Sequence, residues 1–184
     1  MAQNSDNIAI VRPKVAGAAY VADAGTACPT TAAETATGFD SLGWLSEDGI
    51  TMSIDRETTD IIGFGGDVAL TISESHDLTF TIKPMELNVH VLGLMFNGAN
   101  VTMGSGSAVE SVKVNADDPD EFALMFDLRG RGGQLIRVCV PKAKVTEMGE
   151  VPLKHNEPIA SEMTIKAFPD ASGNKAYIYF GKEA

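Results

Sequence analysis

Positive charge is scarce in this chain: 14 Lys and Arg stand against 25 Asp and Glu, a net charge of −11 over 184 residues. A protein that grips nucleic acid needs a basic surface, so this balance argues against tight DNA or RNA binding. It suits a surface past which nucleic acid slides without sticking. Cysteine is scarcer still. Cys28 and Cys139, the two present, lie far apart and lack the spacing of a metal or redox pair. They are expected as free thiols, Cys28 in a loop and Cys139 in an apolar strand, in a chain made in a reducing cytoplasm. Histidine occurs only at His76, His90 and His155, and neither H-E-x-x-H nor paired C-x-x-C is found. Glu74 with His76, and Glu86 with His90, read as solvated pairs on a strand and a helix. Gly63-Phe64-Gly65-Gly66 is no phosphate cradle, because it lacks the G-x-G-x-x-G order. MAQNSDNIAIVRPK has no basic stretch leading into an apolar one, as a signal peptide would. No apolar run approaches the length of a membrane span. These absences leave no catalytic constellation, and neither cofactor nor metal is expected.

What is present is mostly alternation. The size fits a single domain with a hydrophobic core: residues 1–14 as an N-terminal arm, residues 15–184 as the domain. Val15–Ala22 is a short strand candidate, and Asp23–Thr37, with Gly25 and Pro29, a loop. Val68–Lys83 is the cleanest strand. Leu70, Ile72, Leu78, Phe80 and Ile82 share one parity, and Thr71, Ser73, Ser75, Asp77, Thr79 and Thr81 the other. Glu74 and His76 interrupt the apolar parity, which places a bulge or exposed turn there. Pro84 in first-turn position and Gly98 as cap predict a helix over residues 84–97. Its apolar surface is too broad for one sheet, so a second cover, such as a neighbouring subunit, is expected. Phe122–Arg129 and Gln134–Thr146 form a hairpin through Arg129–Gly133, and Glu157–Phe168 with Lys175–Phe180 the last hairpin. Strands with regular turns and one helix argue for a mainly β fold, a β-sandwich or partly open β-barrel with a packed α-helix.

The block from Gly38 to Gly66 stands apart. Phe39, Leu42, Trp44 and Leu45 make an apolar run, with Trp44 in a core-like strand. Ser46–Gly49 is a turn, and Ile50, Met52 and Ile54 alternate with Thr51, Ser53 and Asp55. Residues 55–67 then read as a long loop carrying Ile61, Ile62 and Phe64 among charges and glycines. Such side chains need burial, either against the same domain or against another copy.

The block LGWLSEDGITMSIDRETTDIIGFGGD, with the Ser/Thr-rich strand after it and GAAYVADAGTACPT before it, resembles the major tail (tail tube) proteins of long-tailed, non-contractile bacteriophages, particularly those of actinobacteria. The resemblance covers nearly the whole chain and carries no catalytic motif. It implies a structural virion protein, not an enzyme, forming hexameric rings stacked into a hollow tube. It also implies as partners other copies of the chain, a tape-measure protein, tail-tip and tail-terminator proteins, and DNA in transient passage. On that pattern the loop at 55–67, through Ile61, Ile62 and Phe64, contacts neighbouring subunits. Thr51, Ser53, Asp55, Thr71, Ser73, Ser75, Asp77, Thr79 and Thr81 are then candidates to line the lumen, with plain outer surface as the alternative. Two other readings stay open: a non-assembling β-sandwich binding module, and the tube protein of a contractile tail or secretion apparatus.

Overall fold

A computed structural model describes residues 10–14 and 17–183, so most of the expected N-terminal arm, with Val15 and Ala16, lies outside the described residues. The chain order is β1 (Val11–Pro13), β2 (Ala19–Asp23), β3 (Asp40–Ser41), β4 (Leu45–Ile62), β5 (Val68–Pro84), α1 (Val89–Phe96), β6 (Val101–Met103), β7 (Val109–Val112), β8 (Phe122–Gly130), β9 (Gln134–Met148), β10 (Met163–Ala167) and β11 (Tyr177–Lys182). Nine of these strands form one antiparallel sheet, seven along the path β3-β2-β8-β9-β10-β5-β4 with β1 beside β8 and β11 beside β9, and β6 pairs with β7 apart from it. β1 continues the line of β2 along β8, so the part of the arm that is described joins the sheet.

The fold is mainly β with one helix, as the alternation predicts, but a single sheet replaces two stacked ones. Phe80 on β5 and Phe126 on β8 have ring centroids 5.2 Å apart, although β9 and β10 separate their strands within the sheet. That contact requires the sheet to roll onto itself. Leu78, Phe80 and Ile82 meet Leu124, Phe126, Val138, Val140 and Ile165 inside the roll. The roll stays open between β3 and β4, the two ends of the path.

Two expectations are corrected. The last hairpin does not form: β10 pairs with Ala143–Met148 of β9 and β11 with Gln134–Cys139, both antiparallel to it. β10 and β11 therefore run the same way, in line on one edge of β9, because that strand is long enough to seat both. The helix begins later than Pro84, which ends β5 opposite Leu45. Asn88 is the true N-cap, its side chain accepting from Val91 N at 2.9 Å, and it also donates to the Leu42 carbonyl. Within the chain the helix also packs against the β6–β7 hairpin. Val91, Leu94 and Met95 are buried in the core. Buried Asn100 fastens the hairpin, donating to the Phe96 carbonyl and to Asn115.

Candidate functional site: a projecting ribbon and a polar sheet face

β5 pairs with β10 only through residues Thr79–Ile82. Before that point β4 and β5 have only each other, from Ile54 opposite Leu78 to Ile62 opposite Val68. At about 3.3 Å per residue this two-stranded ribbon reaches roughly 30 Å beyond the body. Each residue from Thr51 to Glu74 is exposed. The expected long loop at 55–67 is thus mostly strand, and the connection proper is Gly63–Asp67, where Gly63 N donates to the Asp67 carbonyl at 2.8 Å. Gly65 and Gly66 take φ of 140° and 93°, conformations that leave glycine the natural occupant. Ser46–Gly49 is likewise no hairpin turn. It bulges out of β4, since Leu45 faces Pro84 and Ile50 already faces Ile82.

The turn presents Phe64 fully to solvent, with Ile62 at 63% and Ile61 at 45% exposure just behind it. Successive residues of a strand point to opposite faces, so Ile61 with Leu70 and Ile62 with Val68 occupy opposite sides of the ribbon. Thr58, Asp60 and Thr71 share a side with Ile62, and Thr71 Oγ1 donates to Asp60 Oδ1 at 2.6 Å. Trp44, expected in the core, is 74% exposed at the base of the ribbon. Leu42 lies in the core and Leu45 packs against it while the Trp44 side chain does not, and the Trp44 amide donates to Glu86 Oε1 at 2.9 Å.

The polar parity pairs across the strands as Thr51 with Thr81, Ser53 with Thr79 and Asp55 with Asp77. Ser75 follows on the same face opposite Glu57. Then Glu57 faces Ser75 while Thr58 faces Ser73, so Glu74 is the extra residue of a bulge. That bulge moves Thr71 and Ser73 to the opposite face, so the nine polar candidates do not form one surface. The retained face continues across β10 through Thr164 and Lys166 and onto β9 through Lys144.

This face is not short of cations, as the β4–β5 sequence alone suggested. Lys166 and Lys175 both reach Asp77, at 2.7 and 3.4 Å. Lys144 reaches Asp118 at 3.1 Å, and Lys142 reaches Glu121 at 3.0 Å. The four lysines of this row therefore lie against three carboxylates, Lys166 and Lys175 sharing Asp77. The hydrogen bond from Lys166 holds the Asp77 carboxyl below its ordinary range.

Behind the far end of the sheet, residues 24–37 fold over β8 and β9. Cys28 is bonded to Cys139, which overturns the expectation of free thiols. A sequence separation of 111 hides a Cα–Cα distance of 6.1 Å, within the reach of a disulfide. Arg137, 2% exposed, locks the same loop. It donates to Asp127 through Nε and Nη2 at 2.6 and 2.7 Å, and through Nη1 to the carbonyls of Thr31 and Glu34. In the sequence Arg137 is the lone charge in an otherwise apolar run from Leu135 to Val140. Its partner, Asp127, sits directly opposite across the β8–β9 hairpin.

A family model described as phage tail tube protein matches residues 1–183. The chain belongs to that family. As a phage tail tube protein it is a structural component of a virion. The tail tube protein is also similar to two solved structures. One is the tube-terminating cap of the anti-feeding prophage, with 12% identity, a TM-score of 0.44, and coverage of 98% of this chain and 100% of that one. The other is from the sheath–tube complex of an extracellular contractile injection system in its extended state. There the identity is 9%, the TM-score 0.43, and the coverage 94% of this chain and 93% of that one. Comparison with curated protein sequences gives no match.

Proposed function

We propose that this tail tube protein assembles with copies of itself into stacked hexameric rings, forming the non-contractile tube through which phage DNA is ejected. The observation that carries the reading is the ribbon. Two strands alone are marginally stable in water. This ribbon nonetheless holds Ile61, Ile62, Phe64, Leu70 and Ile72 in the open. A projection with apolar residues on both faces fits between two neighbours rather than against one. Ile61, Ile62 and Phe64 are the contact residues of this reading.

The polar face of β4, β5, β10 and β9 is the lumen surface in the same reading. Thr51, Ser53, Asp55, Ser75, Asp77, Thr79 and Thr81 line it, while Thr71 and Ser73 belong to the contact side of the ribbon. Carboxylates beside Lys142, Lys144, Lys166 and Lys175 weaken the hold that this row of cations would have on sliding phosphates. The tape-measure protein would occupy this bore before DNA does, and tail-tip and terminator proteins would close its ends.

Electron microscopy of the concentrated protein, with its mass by light scattering, tests the reading. Stacked rings or hollow tubes are the expected result. A stable monomer that also fails to join tails in an assembly assay overturns it.

A further inference from the structure

A groove of about 970 Å³ lies at the base of the ribbon, at the open seam of the rolled sheet. Val11 and Pro13 of β1, Leu128 of β8, and Trp44, Leu45 and Ile50 at the root of β4 give it an apolar lining. Its charged residues are mixed: Arg12 and Lys14 stand with Glu47 and Glu86, Lys14 being paired with Asp127 and Glu86 accepting from the Trp44 amide. Among the described residues the outer edge of β4 is unpaired, because β4 ends the path of the sheet. An apolar trough with a bare strand edge beside it is a place for an extended, apolar-tipped chain to dock.

We infer that this seam is the socket for the ribbon tip of a second copy, with Phe64 as the plug and Trp44 as the wall it packs on. The inference rests on the proposed assembly and names the receiving surface that reading lacks. Two observations select the occupant. Phe64, held on a glycine turn, is fully exposed, and none of the described residues covers it. The socket sits at the foot of the same ribbon whose tip is the plug. A tip-to-foot contact is heterologous, so each copy filled by one neighbour is still free to fill the next. Two aromatic rings brought together in this way bury substantial apolar area.

Trp44 is the single tryptophan of the chain, so its emission reports this site alone. In wild-type protein, assembly into tubes should shift that emission to shorter wavelength and shield it from a soluble quencher. The cross-link test uses a second variant, Asp67→Cys with Glu47→Cys, which keeps both rings in place beside the proposed contact. Mild oxidation of its tubes should give a ladder of covalent multimers on a non-reducing gel. Asp67→Cys with Ile178→Cys, an exposed residue away from the groove, should give no ladder. Tubes whose Trp44 remains fully quenchable, or whose cysteine pairs give no ladder or ladder equally, overturn the socket while leaving the conduit reading intact. Protein that forms no tubes and joins no tails overturns the conduit reading, and the socket falls with it.

Discussion

A buried guanidinium needs an anion, and in this chain the anion is Asp127. Burial alone would raise its pKa, but hydrogen bonds from Arg137 and Lys14 outweigh that and hold it below the usual carboxylate range. A carboxyl depressed by folding stabilises the fold above its unfolded pKa, near roughly 4. That contribution fades as the pH falls through the lower folded value. Asp127→Asn should therefore cost about 3–5 kcal/mol near neutral pH, because it leaves Arg137 buried without its counter-charge. Urea titrations at several pH values check this. The gap between wild type and variant should be widest near neutrality and narrow in acid, and a gap independent of pH would contradict the assignment. The ion pair was half legible in the sequence. Arg137 stood out in its strand, but its partner emerges only once the β8–β9 register is known. Trp44 was misread for a related reason: a tryptophan in an apolar run suggests a core, and only the roll of the sheet decides which side faces in.

At the scale of elements, alternation located the main strands, and the polar parity of β5 met that of β4 as expected from Thr51 to Asp55. What alternation cannot carry is register beyond a bulge. Glu74 was visible as a break, yet the sequence does not say that the break exchanges the faces of Thr71 and Ser73. The exchange makes a sharp test. Thr79→Lys should slow DNA release from assembled particles, whereas Ser73→Lys should leave release near wild type and instead impair tube formation. Equal effects on release would sink the lumen assignment. The distal ribbon was read as loop because its charges and glycines masked the pairing. Its weight in assembly can be measured directly: Ile62→Glu should reduce tube yield at least tenfold in pelleting assays while leaving the monomer's unfolding midpoint unchanged. Normal tubes from this variant would remove Ile62 from the contact. The 24–37 loop was legible as a loop, though not as a clasped one. Its disulfide closes a span of 111 residues, and in the chain-entropy view such a link stabilises by about 4–5 kcal/mol. Cys28→Ser should lose an amount of that order in urea titrations of the oxidised protein, and reductant should bring the wild type to the same midpoint. No response of the wild type to reductant would mean the bond contributes little.

For the whole molecule, the ribbon leaves the body in one direction, and its proposed socket lies at its own foot. A stack built on that contact has a head and a tail. One terminal ring carries a fringe of unplugged ribbons, and the other a rim of empty grooves beside uncovered Trp44 side chains. The two ends must therefore be sealed by proteins of opposite shape, one offering a groove and the other a finger. A truncated ribbon from which residues 55–73 are removed would then act as a one-sided stopper, halting growth at one end of the tube and not at the other.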